Sequence, residues 1–274
     1  MNPLLLLLLV SVPVSVVGRT AAVLGATGAV GTEVVRSLLD QGYSVVLINR
    51  RSVEAFDKPG VTQHVVPMDD SLESSCASIM AAAKVSSAFI TMGVGAPSKT
   101  KGQAGADQLR AVDVTLPSAC ARGARRAGVE HVGILTAVGA DASSTPDADD
   151  GFLGLLPMAR AGGPLYNQCK GQVEVNIKEL GFPTFSTFRP AALLGTPNTP
   201  QIVEVVGRAV DFLLPAKYKC SEIATLADAM VLDAGEKEGA GGAEFEGAEF
   251  AVFEGEPLHE LYKRTAAKGG GGEL

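Results

Sequence analysis

Tyr166 and Lys170 stand four positions apart in Tyr166-Asn-Gln-Cys-Lys170, a spacing that puts both side chains on one face of a helix. Val173, Ile177 and Leu180 continue the helical period behind them. A phenol with its ordinary pKa of about 10 is a weak acid at neutral pH, and an ammonium beside it lowers that value. The chemistry that suits such a pair is carbonyl reduction, in which a hydride arrives from a nicotinamide and an acid protonates the developing alkoxide. Tyr166 is then the candidate acid and Lys170 its partner, with a second task at the nicotinamide ribose. A hydroxyl such as that of Thr136, which follows the apolar run 130–135, can polarise the carbonyl as an oxyanion donor.

A hydride donor needs a nucleotide site, and the chain carries one signature of it. Thr20-Ala-Ala-Val-Leu24 reads as a short buried strand, Gly25-Ala-Thr27-Gly28-Ala29-Val30-Gly31 as a glycine turn, and Val30, Val34, Val35, Leu38 and Leu39 as a helical stripe. Glycine is needed there for three reasons. The turn is tight, the backbone must approach a pyrophosphate, and the helix must pack on the strand with its N-terminal amides facing phosphate. The spacing is G-x-x-G-x-x-G rather than G-x-G-x-x-G, a variant that resembles the short-chain dehydrogenase/reductase superfamily. The second strand, Ser44 to Ile48, runs into Asn49-Arg50-Arg51. An NAD enzyme places an acid at this point on the ribose 2′-hydroxyl, whereas arginine accommodates a 2′-phosphate, so the cofactor expected is NADP(H).

These motifs require a scaffold, and the rest of the chain supplies its pattern. Apolar runs at 61–66, 86–91, 130–135 and 184–188 alternate with helical stretches, which predicts an α/β protein with a Rossmann-like, doubly wound parallel sheet and helices on both faces. Pro117 sits inside the helical stretch from 103 to 127 and predicts a break there. Glu222 to Ala234 reads as a helix, 235–242 as a linker, Glu249 to Phe253 as a last strand, and Pro257 to Arg264 as a short helix. Segments 142–165 and 189–215 fall beyond strand ends, where they are expected to wall a substrate. Leu193, Leu194, Phe212, Leu213 and Leu214 suggest core, or an apolar pocket.

Taken together, Arg50-Arg51, Met92-Gly93, Gly139-Ala-Asp-Ala-Ser-Ser144, Tyr166 to Glu174 and Phe188-Arg-Pro-Ala-Ala-Leu-Leu-Gly195 resemble the atypical short-chain dehydrogenase/reductases of the Tat-interacting oxidoreductase family. The resemblance runs over residues 20 to 235 and echoes in Leu258-His-Glu-Leu261. It implies cofactor contacts from Gly25, Thr27, Gly28, Ala29, Val30, Gly31, Arg50, Arg51, Met92, Gly93, Tyr166, Lys170, Pro190 and Leu193. To these the superfamily adds Asp69 beside adenine. The same resemblance implies Tyr166 as proton donor, Lys170 as its partner, and an association with protein partners. Two departures stand out. The family's pair of serines after the fifth strand is Thr136-Ala137 here, and the segment 142–165, with Asp147, Asp149, Asp150 and Phe152-Leu-Gly-Leu-Leu156, is an insertion that reads either as a lid or as a surface excursion.

Composition excludes several other classes. With 46% hydrophobic and 19% charged residues the 274-residue chain is globular rather than disordered. A formal charge of −7 and the lack of any long Lys/Arg block argue against a nucleic-acid partner. The four cysteines, Cys76, Cys120, Cys169 and Cys220, and the three histidines are scattered, which writes neither a metal site nor a disulfide framework. Residues 1–18 form an apolar leader whose run from Leu4 to Val17 reads as signal, membrane anchor or extension. The compartment is therefore cytoplasmic or, if the leader acts, organellar or membrane-associated. Residues 19–266 form the dinucleotide-binding domain with its substrate-side elements, and 267–274 a disordered tail. Two functions are expected: an NADPH-dependent reductase of a small-molecule carbonyl, or a non-catalytic NADPH-binding regulator that acts through a protein partner.

Overall fold

Runs of branched and aromatic residues bounded by glycine or polar turns form the strands, and in the first of them the side chains divide between two cores. In β1 (Thr20–Leu24), Ala21 and Val23 face one helical layer while Ala22 and Leu24 face the other, so the strand is apolar throughout rather than alternating. The computed structural model describes residues 18–94, 102–145, 163–196, 211–239 and 248–269. Around β1 lie β2 (Ser44–Asn49), β3 (Val61–Val65), β4 (Ser87–Ile90), β5 (His131–Leu135) and β6 (Thr184–Arg189). A short ribbon, β7 (Leu193–Leu194) with β8 (Ser221–Glu222), stands apart, and β9 (Glu249–Glu254) closes the main sheet at one edge. The seven-stranded order is β3-β2-β1-β4-β5-β6-β9, every pair parallel. The order reverses between β1 and β4, and a crevice opens there at the carboxyl ends of the strands.

Helices cover both faces. On one side α1 (Ala29–Asp40) packs with two C-terminal helices, α6 (Ile223–Gly239) and α7 (Glu256–Gly269), burying Val34, Leu38, Leu226, Met230, Leu258 and Leu261 against Val23, Leu47, Phe89 and Phe188. On the other side α2 (Leu72–Ala82), α4 (Leu116–Arg126) and α5 (Gly163–Lys178) bury Cys76, Met80, Cys120, Val173 and Ile177 against Leu24, Ile48 and Ile90. Each such large side chain, once fully buried, contributes about 1.5–3 kcal/mol. Three of the cysteines, Cys76, Cys120 and Cys169, are buried free thiols.

The expected break near Pro117 takes a specific form. Between α3 (Gly102–Arg110) and α4 the chain makes one π-helical turn, Ala111–Thr115, and Pro117 sits in the first turn of α4. Proline has no amide hydrogen to give to the carbonyl of Asp113 four residues back, so the ladder widens instead of continuing. The widened turn carries Asp113 into the interior, where it is fully buried.

Several expectations from sequence are corrected. The linker assigned to 235–242 is helical as far as Gly239, with Gly235 inside the helix beside Arg19 and Tyr43. The tail assigned to 267–274 is helical through Gly269 in α7. Phe212 and Leu213 are neither core nor pocket. They lie 76% and 70% exposed on a 3-10 turn whose Asp211 Oδ1 accepts the Cys220 amide at 2.6 Å, leaving both apolar side chains on the outer surface. The leader from 1 to 17, most of the insertion (146–162) and residues 197–210 lie outside the described residues. Among the described residues no helix is long and apolar enough to cross a membrane.

Candidate active site

The turn between β1 and α1 builds the first wall. Gly25 adopts φ +88°, and a Cβ there would sit 2.6 Å from the Met92 amide nitrogen, so β1 and β4 end side by side only with glycine at this point. A Cβ on Gly31 would run into the Gly25 carbonyl, which fixes how closely α1 rests on the turn. Gly28 caps α1 without a side-chain hydrogen bond and no acidic residue occupies its first turn, so the helix presents bare amides and the positive end of its dipole. Thr91 locks the two strand tips together by donating its hydroxyl to the Leu24 carbonyl at 3.0 Å.

These elements enclose a cavity of about 690 Å³ at the reversal of strand order. Gly25, Thr27, Gly28, Arg50, Arg51, Met92 and Gly93, all singled out from sequence, line it. So do Asn49, Met68, Thr91, Gln108 and Val112, which were not. Arg50 and Arg51 are exposed at the mouth, and among the described residues neither has a carboxylate partner. Asn49 is 5% exposed, and its Nδ2 has no hydrogen-bond partner among the described residues. A buried donor facing a cavity is costly unless a ligand acceptor meets it. Size, glycine cradle, bare helix terminus, paired cations and an unmet donor all fit a dinucleotide.

Not every expected contact gathers there. Ala29 and Val30 begin α1, and Val30 is in the core. Asp69 is exposed and accepts the Ser71 amide at 2.9 Å and the Ser71 hydroxyl at 2.6 Å, holding its carboxyl below the usual range; the neighbouring Met68 is the one on the cavity wall. The Pro190 carbonyl accepts the Val138 amide at 3.0 Å and Leu193 packs on the core, so both serve the sheet end rather than line the cavity.

Tyr166 and Lys170 do share one face of α5, with the Lys170 Nζ 5.5 Å from the centre of the Tyr166 ring. The lysine is buried, and its Nζ lies 2.7 Å from Asp113 Oδ1, while Asp113 Oδ2 accepts the Val94 amide at 3.0 Å. Gly93 ties this pair to the cavity: a Cβ on it would be 3.1 Å from Asp113 Oδ1 and 3.5 Å from Lys170 Nζ. Asp113 was not found from sequence. The one signal was Pro117, which announced a break but not that the break would turn a carboxylate inward.

Burial works against the charge of Lys170, yet Tyr166 and Asp113 outweigh it and hold the ammonium above its ordinary pKa. Tyr166 shifts in the direction opposite to the one expected. Burial pushes its phenol up, the Lys170 charge pulls it down, and the Asp113 charge pushes it up again, with a net rise. Thr136 is also corrected as an oxyanion donor. It is buried, and its hydroxyl donates to Glu174 Oε1 at 2.6 Å, so its proton is committed inside the fold. Glu174, one turn past Lys170, is in turn gripped by Arg189, whose Nε donates to Oε1 at 3.0 Å and whose second nitrogen meets Oε2. Ala137 is buried and brings no hydroxyl.

A doubly wound parallel sheet with a glycine cradle at its switch point defines a dinucleotide-binding protein of the short-chain dehydrogenase/reductase type. Solved structures agree on the fold. WbmH of Bordetella bronchiseptica, in complex with NAD+, superposes with a TM-score of 0.58 at 15% identity over 93% of this chain and 83% of that one. UDP-glucose 4-epimerase of Thermotoga maritima, with UDP-glucose, gives 0.58 at 14% over 93% and 84%. The chain belongs to the family described as NAD(P)H-binding, which matches residues 25–212, and within it is an atypical short-chain dehydrogenase/reductase. Among curated relatives, Protein HTATIP2 of Rattus norvegicus is 31% identical over 182 residues, 64% of this chain, and the match spans 63% of that protein's length, less than two thirds. Protein FMP52-1, mitochondrial, of Scheffersomyces stipitis is 32% identical over 186 residues, 66% of this chain and 70% of that one.

Proposed function

We propose that the protein is an NADPH-dependent reductase of a carbonyl compound, with Tyr166 as proton donor and Lys170 as its partner. The observation that carries this reading is the Tyr166, Lys170 and Asp113 group, whose buried Lys170 and Asp113 ion pair lies against Gly93 on the wall of the cofactor-sized cavity. When bound, the dinucleotide supplies a hydride to the carbonyl carbon. Tyr166 gives its hydroxyl proton to the carbonyl oxygen as that oxygen takes up the π electron pair, and regains a proton from solvent. Lys170, held charged, orients the phenol, and it would also hold a ribose hydroxyl of the bound cofactor. Arg50 and Arg51 support the phosphorylated cofactor over NADH, since two forked cations with no carboxylate partner among the described residues suit a 2′-phosphate. Tyr166→Phe is expected to keep NADPH binding while turnover of carbonyl substrates falls by about 10²-fold or more. Unchanged turnover in that variant overturns the reading.

A second reading, a non-catalytic NADPH-binding regulator acting on a protein partner, is favoured by one specific observation. The hydroxyl expected to polarise a carbonyl is spent on Glu174, and the adjacent residue is Ala137. This reading expects cofactor binding, no turnover across a broad carbonyl panel, and a partner whose affinity changes with NADPH.

A further inference from the structure

Asp113 is the one fully buried carboxylate that faces the Tyr166 and Lys170 pair among the described residues, and the reaction steps above assign it no role. Its place is determined from three sides. The π turn forced by Pro117 aims it inward, the Val94 amide holds Oδ2 at 3.0 Å, and Lys170 Nζ meets Oδ1 at 2.7 Å. Gly93 passes over both groups with no side chain, which leaves the ion pair close to the cavity without opening it to bulk water.

We propose that Asp113 is a positioning residue of this pair: its carboxylate anchors the Lys170 ammonium and offsets its charge, so that Tyr166 stays a neutral hydroxyl able to give a proton. The inference rests on the reading of Tyr166 as proton donor and deepens it. An ammonium alone beside a phenol favours the phenolate, which is a base and suits alcohol oxidation. A carboxylate ion-paired to that ammonium leaves little net charge at the ring, and burial then favours the neutral phenol. The upward direction of the Tyr166 pKa agrees with this geometry. Other charges around α5 are engaged elsewhere. Arg110 of α3 pairs with Asp107 on its own helix, Glu174 is paired with Arg189 from β6, Asp141 accepts the Ser143 amide, and Arg122 and Arg126 of α4 turn to Glu73 of α2.

The test needs neither substrate nor cofactor. Tyrosinate absorbance is followed in rapid pH-jump mixing, read before the fold responds, and the Tyr166→Phe trace is subtracted to isolate Tyr166 from Tyr43, Tyr218 and Tyr262. The isolated midpoint is expected above that of free tyrosine, about pH 10. In Asp113→Asn it is expected to move down by on the order of one pH unit, and in Asp113→Glu to return toward the parent value. A parent midpoint below that of free tyrosine overturns the proposal, and so does an Asp113→Asn protein with unchanged circular dichroism whose midpoint does not move. If Asp113→Asn does not fold, Asp113→Ser, which also removes the charge, is measured in its place, and an unmoved midpoint overturns the proposal, since burial alone also raises the parent midpoint. Because the readout is the phenol itself, a protein that turns over no carbonyl can still pass this test. Loss of the reductase reading and loss of the Asp113 inference are thus separate results.

Discussion

At the scale of single residues, the paired arginines after β2 carry the sharpest prediction. Each charge-assisted contact to a phosphate is worth about 1.5–3 kcal/mol, and among the described residues neither guanidinium has a carboxylate partner to compete for it. Replacing both by alanine is expected to weaken NADPH binding by about 100-fold or more while leaving NADH nearly unchanged, as measured by calorimetry. Equal losses for the two cofactors would remove the 2′-phosphate assignment. Arg50 and Arg51 were legible in the sequence because their place depends only on the end of β2. Asp69 and Thr136 were misread for the opposite reason. Each stands where the superfamily pattern puts a functional group, but Asp69 is exposed with one carboxylate oxygen turned to Ser71 while Met68 takes the cavity wall, and Glu174 takes the hydroxyl of Thr136. Which neighbour competes for a polar atom is a three-dimensional fact.

At the scale of elements, α5 is held to the sheet by a network that begins one turn beyond Lys170. Glu174, 6% exposed at its side chain, binds Arg189 at the end of β6, and Arg189 reaches on to Glu254 of β9 at 3.0 Å, where Lys217 joins at 2.9 Å. Glu174→Gln leaves the Arg189 charge in place and removes its buried counter-charge, so a loss of about 3 kcal/mol in urea unfolding is expected. A loss below about 1 kcal/mol would mean that Glu254 alone satisfies the arginine. Gly171 adds a second tie, since a Cβ on it would strike the backbone at Asp141 and Ala142. Sequence periodicity announced α5 and its apolar stripe. It gave no sign that Arg189, expected in the turn after β6, belongs to the strand and clamps the helix that carries Tyr166.

Across the whole molecule, the foot of the sheet holds a buried polar layer far from the cavity. His131 opens β5, is 1% exposed, and its Nδ1 lies 2.9 Å from Thr184 Oγ1; burial, helped by the Lys237 charge, lowers its pKa to about 3. The folded protein therefore keeps this imidazole neutral while the unfolded chain protonates it below about pH 6.5. The unfolded state binds the extra proton, so stability is fully present above that pH and declines as pH falls toward the folded value. Between pH 7 and 5 the expected loss from this group is about 2 kcal/mol, read as a fall in the urea midpoint. A His131→Gln variant should lack that part of the slope; an identical slope would assign the pH dependence to other groups. The described C-terminal elements reinforce the same scale of order, with β9 extending the sheet beside β6 and α6 running through Gly235.

The amino-acid sequence alone determined the class of fold, the glycine cradle, the paired cations and the helical face shared by Tyr166 and Lys170. Each of these depends on local periodicity or on a turn that tolerates few residue types. Tertiary structure decided which polar atoms are free to act. Pro117 could be read as a break, but only packing of the π turn against α5 made Asp113 the partner of Lys170 and reversed the direction in which the Tyr166 phenol is shifted. Hydrogen bonding and charge are short-ranged in space and blind to separation along the chain, so they become known only when distant segments have met.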